Sequence, residues 1–349
     1  LLAIAASLLS PGWATDPSHA GEVVRWNLST PPGSEASRAG IEALTRFVQS
    51  ESNGGFVISA YYGKLAPLDR NLDGIRVGAF EMATICSARH PDKTPVLTAL
   101  DLPFLPIPNL DIQQRVHERF YGHPEVQNEL DRWNAKALLS DLAPQREFIG
   151  IGDPPNSIEA WKGLTVALPN AVLGFVVQKF GERTVDTTAQ NLGAKVPDIA
   201  VPEVYRMISR GVVNAIPVIP SPTSYPPSVT LSTRWYTDGL SAGTDHCALI
   251  VNAQAFRRLP LAYKELLERA VQVAYTEMKS AILGTRAKWL DLMSDRAKKI
   301  TYRPEELERF RESFGRPIWQ SWVDGMAQRK IPGDMLLKYI LASAKEGRS

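Results

Sequence analysis

The sequence predicts an α/β protein of two domains with one long helix near its C-terminus. Three observations carry that expectation. The chain has 349 residues, more than a single hydrophobic core usually serves. Strand-like apolar runs alternate with helix-period segments as far as Asn252, the pattern of sheets covered by helices. From Leu261 to about Lys299, apolar residues recur at helical spacing (Leu266, Leu267, Ala270, Val273, Ala274, Met278, Ile282), interrupted only by Gly284. Such a helix would reach roughly 57 Å, longer than one domain is wide. It must therefore lie across both domains, project from them, or break partway.

The elements follow in order. Val23–Leu28 is strand-like, and Ser34–Ser50 is an amphipathic helix with Ile41, Leu44, Phe47 and Val48 on one face. Gly54 and Gly55 turn the chain into the strand Phe56–Tyr61. Leu68–Gly78 is helical, weakened by Gly74, and Glu81–Cys86 is a strand. Leu110–Asn134 continues the helical pattern. Thr165–Leu168 is a short apolar strand ended by Pro169, Ala171–Phe180 a helical crossover, Pro202–Arg210 a helix and Val212–Val218 a buried strand. The prolines 217, 220, 222, 226 and 227 around Tyr225 forbid a regular helix there. His246–Asn252 adds another strand.

Composition narrows the function. With 44% apolar and 22% charged residues the chain has the make-up of an ordinary soluble domain protein. A formal charge of +2 with scattered basic residues offers no footprint for nucleic acid. Residues 1–14 read as the remnant of a secretory signal peptide. Leu1–Leu9 is an apolar run too short for a bilayer span, and small residues at Gly12 and Ala14 suit a cut after Ala14. A cut after Ala20 fits nearly as well, and a buried N-terminal strand or a frayed tail is the competing reading. Cys86 and Cys247 lie far apart and form no CxxC, so two unpaired buried thiols are expected rather than a disulfide.

A series of motifs then identifies a relative. Val24–Ser29 is followed by Pro31-Pro32-Gly33-Ser34. Next come Tyr62-Gly63-Lys64-Leu65 with Asp69-Arg70, and Leu72-Asp73-Gly74-Ile75-Arg76-Val77-Gly78 leading to Met82. Asp101-Leu102-Pro103-Phe104-Leu105, Trp161-Lys162-Gly163-Leu164, Pro202-Glu203-Val204-Tyr205 and Gly211-Val212-Val213 follow. The series closes with His246 leading into Leu249-Ile250-Val251-Asn252. In order and spacing these resemble the extracytoplasmic solute receptors (DctP-like) of tripartite ATP-independent periplasmic (TRAP) transporters. The resemblance implies a periplasmic-binding-protein-like type II fold: two α/β domains, a central cleft, and a long C-terminal helix spanning both. It places domain I at residues 23–143 plus 248–288 and domain II at 144–247 plus 289–349. It also implies a periplasmic protein that closes on a small-molecule ligand like a hinge and delivers it to the permease subunits of a TRAP transporter, with no cofactor.

The same resemblance gives candidate ligand positions one at a time. The family pairs a ligand carboxylate with an Arg two residues before the Pro of a G-L-x-x-R-x-P segment. Gly163-Leu164 and Pro169 frame that segment here, and the Arg position is Ala167. A methyl group cannot supply a guanidinium's bidentate grip. Arg146 fits a second family Arg with a one-residue gap. Ser29 and Asp69 match polar and acidic positions, and Cys86 falls where some members place a Glu, with Arg89 shortly after. Val201 stands for a frequent aromatic, Val218 for a frequent Asn, and His246 for a His before the last sheet strand. Ala167, Cys86 and Val218 have each lost a polar or charged group, which points to a more apolar cleft with Arg146 as the remaining anion anchor. The expected ligand is a small organic acid, a monocarboxylate or an aromatic acid, with a neutral solute left open by Ala167. Each position also has a plainer reading: Arg146 and Arg89 as surface residues, Asp69 as a helix cap, His246 as a satisfied hinge histidine, Cys86 as small-residue packing.

Two other functions compete. A receptor of this fold could feed a sensor kinase instead of a transporter. A secreted serine hydrolase is suggested by Gly239-Leu240-Ser241-Ala242-Gly243, which matches G-x-S-x-G. That motif needs a preceding strand, a following helix and a later His in another loop, whereas here a strand is expected to follow and His246 shares the loop. No HExxH, clustered His/Cys set or Gly-rich phosphate loop is present.

Overall fold

The computed structural model describes residues 23–169, 175–179 and 199–346. The expected signal-peptide remnant lies outside these residues. The first sheet has the order β2-β1-β3-β10-β4, with β1 Val24–Thr30, β2 Phe56–Tyr62, β3 Met82–Cys86, β4 Ala135–Ser140 and β10 Cys247–Asn252. β1 runs parallel to β2 and β3, while β10 runs antiparallel to β3 and β4. The second sheet has the order β11-β9-β5-β8-β6-β7, with β5 Glu147–Gly150, β6 Thr165–Pro169, β7 Phe175–Lys179, β8 Ala215–Val218, β9 Trp235–Thr237 and β11 Lys298–Ile300.

Local chemistry sets the helix boundaries. Helix α1 (Glu35–Glu51) starts where the Ser34 hydroxyl accepts from the Ser37 N–H at 3.1 Å. Leu68–Gly78 splits into a 3-10 turn, Leu68–Arg70, and α2 (Asn71–Val77), which Gly78 ends at φ +72°. The predicted helical stretch 110–134 breaks at Pro124 into α3 (Leu110–Gly122), capped by Asn109, and α4 (Pro124–Asp131). Helices α5 (Val201–Ser209) and α6 (Pro227–Ser232) both carry proline in their first turn. Helix α7 is Ala253–Arg258, and the long helix α8 runs Leu261–Ser294. Three further helices close the described chain: α9 Pro304–Phe310, α10 Arg316–Gln328 and α11 Gly333–Lys345.

Helix α8, about 51 Å long at 1.5 Å per residue, serves two cores. Leu266, Leu267, Ala270, Ala274, Met278 and Ile282 pack with Trp26, Leu28, Leu44 and Val48 beside the first sheet. Further along, Trp289 and Met293 pack with Ile149, Val218, Tyr225 and Tyr236 beside the second. Gly40 permits the close approach of α1 to α8, because a Cβ there would lie 2.5 Å from Met278 Cγ. On the other face of the second sheet, Trp161 is the hub of an aromatic core. Phe148, Trp235 and Phe310 meet its ring edge-on at 5.0, 5.7 and 5.8 Å.

Several expectations are corrected. The helical crossover expected at Ala171–Phe180 is, over Phe175–Lys179, a strand antiparallel to β6; Ala171–Gly174 and Phe180 lie outside the described residues. Phe175, Val176 and Val177 are aromatic and β-branched, and a run this short carries too little periodicity to separate helix from strand. The predicted strand from Val212 begins only at Ala215, after a turn with Gly211 at φ +73°. The long helix ends at Ser294 rather than near Lys299. Cys86 and Cys247 are disulfide-bonded, 161 residues apart in sequence. They are directly opposed on β3 and β10, so sheet pairing erases the separation that argued for free thiols. Residues 289–349, expected in the second domain, divide: Phe310 joins the second-sheet core, whereas Trp319, Leu336, Ile340 and Ala344 pack with Leu97, Val116 and Phe120 beside the first sheet.

Candidate ligand-binding cleft

The chain passes from β4 to β5 through residues 141–146 and returns from β9 to β10 through residues 238–246. These two crossings are stitched together. The Arg146 N–H donates to the Gly243 carbonyl at 2.8 Å, and the Ala242 N–H donates to the Arg146 carbonyl at 2.9 Å. Gly243 sits at φ +102° with Pro103 Cα 3.1 Å from where a Cβ would stand, so only glycine fits there.

Glu147 anchors the return crossing. Its buried carboxylate accepts from the Thr237 hydroxyl at 2.7 Å, the Gly239 N–H at 2.9 Å and the Leu240 N–H at 3.1 Å. Burial pushes its carboxyl up, and these donors pull it back. The G-x-S-x-G segment is thus a backbone nest wrapped around an internal carboxylate. Ser241 lies at φ +56°, and strand β10, not a helix, is the next element. The histidine a nucleophile would need, His246, is engaged elsewhere.

His246 is 1% exposed. Its Nε2 lies 3.1 Å from the Tyr121 hydroxyl and 3.2 Å from Ser140 Oγ, which also contacts His117 Nδ1 at 2.6 Å. Burial pushes His117 down to about 3 and His246 well below its usual value, so both rings are neutral at pH 7. The His246 N–H donates at 2.7 Å to Asp101, whose other oxygen accepts from the Ser87 hydroxyl at 2.6 Å. Burial raises the Asp101 carboxyl to about 7 against those two hydrogen bonds. The motif residues Asp101 and Pro103 therefore buttress the hinge, and Trp319 on α10 adds a bond to the Pro103 carbonyl at 2.7 Å.

Arg146 stands at the centre of this junction with its side chain 13% exposed. Its guanidinium Nη2 donates to Asp245 Oδ2 at 2.5 Å, and Asp245 is 64% exposed. Tyr205 on α5 lies close enough that the Arg146 charge partly offsets the upward push of burial on its phenol. The Tyr205 hydroxyl donates to the Ser224 carbonyl at 2.8 Å. On the outgoing crossing, Asp141 accepts from the Ser37 hydroxyl, and its Oδ1 is buried with no partner among the described residues.

The predicted positions fall into three groups. Arg146, His246 and Cys86 meet at the crossings, Cys86 through its bond to Cys247 next to His246. Ala167 and Val218 lie in one apolar cluster with Val204, Tyr225 and Trp289, at 0% and 3% exposure. Tyr225 faces that core too, accepting from Trp289 Nε1 at 2.6 Å. Ser29, Asp69, Arg89 and Val201 form the third group, outside those two sets of contacts. Ser29 is buried and donates to Asn71 Oδ1 at 2.7 Å, Asp69 and Arg89 are exposed in short turns, and Val201 is exposed at the start of α5. Sequence reasoning did not single out Asp245 or Glu147, and it gave Asp101 only as part of a motif, with no role. Each acts through the return crossing, and no local pattern marks a carboxylate whose partners lie on another element.

Among the described residues, no helix is long and apolar enough to cross a membrane. No curated protein sequence matches the chain. Solved structures do match in fold. A TRAP periplasmic solute binding protein from Desulfovibrio salexigens aligns with TM-score 0.72 at 17% identity, over 93% of this chain and 97% of that one. One from Ochrobactrum anthropi aligns at TM-score 0.70 and 17% identity, over 94% and 96%. A marine metagenome TRAP solute binding protein specific for aromatic acid ligands, in complex with 3-hydroxybenzoate, aligns at TM-score 0.67 and 18% identity, over 94% and 99%. The profile of DctP, the bacterial extracellular solute-binding proteins of family 7, matches residues 29–324. The chain belongs to that family.

Proposed function

We propose that this receptor captures a small organic monoacid, aromatic acids included, between two α/β domains in the periplasm and delivers it to a TRAP permease. The observation that carries the ligand class is Arg146. Its guanidinium has five N–H donors, and among the described residues one side-chain hydrogen bond uses them. The family's other anion anchor is replaced by Ala167, a methyl group in an apolar core. A single anchor favours one carboxylate over two. The disulfide between Cys86 and Cys247 fits an oxidising compartment outside the cytoplasm.

Placement supplies the coupling to closure. Arg146 belongs to one crossing and is hydrogen-bonded to the other, so a ligand held by it touches the hinge itself. A ligand that contacts both domains binds the closed form more tightly and draws the population toward it. The domain division consistent with the cores is the first sheet with α1–α4, α7, α10 and α11 against the second sheet with α5, α6 and α9, and α8 shared. A thermal-shift screen of monocarboxylates, dicarboxylates and neutral amides tests the reading, since a ligand raises the melting temperature by mass action. Stabilisation by monoacids is expected. Stabilisation by dicarboxylates or neutral solutes alone would overturn the ligand class.

A further inference from the structure

We propose that Asp245 is a tethered carboxylate that competes with the ligand for Arg146 and so sets the receptor's threshold for anions. This rests on the reading of Arg146 as the anion anchor. The two groups touch at 2.5 Å, yet their environments differ sharply: the arginine side chain is 13% exposed and the aspartate 64%. A pair with one end in water contributes little to stability. The crossing that carries Asp245 is in any case fixed without it. Glu147 holds its start through Gly239 and Leu240, Gly243 pairs with the Arg146 backbone, and Asp101 takes the His246 N–H. The Asp245 carboxylate is thus the one group in the segment that reaches to the anchor without being needed to shape the loop.

Its chemistry is that of the ligand expected there. An aspartate side chain offers a guanidinium the same two oxygens as a free carboxylic acid. Resting on Nη2, it neutralises Arg146 and leaves the other guanidinium donors unoccupied among the described residues. An incoming monoacid must either displace it or bind beside a like charge. Asp245 being largely in water, swinging out costs little, so the threshold is modest. A neutral solute meets no such competition, and a dianion meets more.

Asp245→Asn removes the charge and keeps the shape. The probes are benzoate and its neutral counterpart benzamide, titrated calorimetrically into wild type, D245N and R146A at low and high salt. A unit charge a few ångströms away in a mostly aqueous setting predicts benzoate binding about three- to tenfold tighter in D245N. The gain should shrink in high salt, and benzamide should be unaffected. Equal or weaker benzoate binding by D245N, with wild-type binding intact and weakened in R146A, overturns the tethered competitor and leaves the anchor standing. Benzoate binding in neither wild type nor D245N overturns both. A ligand-independent readout uses phenylglyoxal, an electrophilic dicarbonyl that the deprotonated guanidine attacks. Modification of Arg146, followed by mass spectrometry, should be several-fold faster in D245N, and an unchanged rate shows that Asp245 does not hold Arg146 in solution.

Discussion

The bond between Cys86 and Cys247 closes a loop with a sequence separation of 161. Chain-entropy arithmetic for a loop of that length gives about 5 kcal/mol of stabilisation at 25 °C. Residual structure in the unfolded chain lowers this toward the usual range of about 2–4 kcal/mol. The loop contains β4 to β9 and so holds almost the whole second sheet. The Cys86→Ser/Cys247→Ser double variant should therefore unfold at lower urea concentration, with a loss of about 2–5 kcal/mol. Wild type treated with a dithiol reductant should match it. Thiol titration in denaturant without reductant should find no reactive thiol in wild type. Two reactive thiols, together with an unchanged urea midpoint in the double variant, would refute the bond and restore the free thiols that sequence spacing suggested.

Three further outcomes follow from the buried titratable groups around the crossings. The Asp101 carboxyl titrates near 7 when folded and near 4 when unfolded, so the folded state holds the proton better between those values. Stability should fall as pH rises across that window, by at most about 4 kcal/mol. Asp101→Asn should flatten that part of the urea pH profile, and parallel profiles would refute the assignment. His117 has the opposite sign: burial lowers it to about 3, so stability present above about pH 6.5 is lost as pH falls toward 3. His117→Gln should remove that acid-side loss, and an unchanged slope between pH 6.5 and 4 would count against a buried neutral ring. Glu147→Gln turns an amide donor toward the Gly239 and Leu240 N–H groups and should cost about 1–3 kcal/mol in urea unfolding; wild-type stability would remove Glu147 as the anchor of the return crossing.

Much of the framework was legible because local chemistry determines it. Ser34 before an amphipathic run, Gly78 after one, and the apolar period from Leu266 to Ile282 each set an element whatever the rest of the chain does. The resemblance named Arg146 as the remaining anion anchor and allowed His246 to be a satisfied hinge histidine. The structure sets both residues at the crossings, His246 with its ring bonded to Tyr121 and Ser140. What the sequence hid depends on partners distant along the chain. Cys86 meets Cys247 only because β10 inserts between β3 and β4. The strand Phe175–Lys179 exists as a strand because β6 stands beside it. The G-x-S-x-G segment already lacked a nucleophile's setting in the sequence, but what it does instead, wrapping the Glu147 carboxylate, depends on a residue on another element. Asp245 gains meaning only from the arginine opposite, which lies 99 positions away.

The central claim is that Arg146 holds a ligand carboxylate. Calorimetric titration of an acid found in the thermal-shift screen into wild type and Arg146→Ala tests it most directly, because Asp245 is exposed and tolerates the loss of its partner. The account predicts affinity lower by about 1.5–3 kcal/mol in the variant, the worth of a charged hydrogen bond, with the apo melting temperature unchanged. Equal affinity in the two proteins would contradict it.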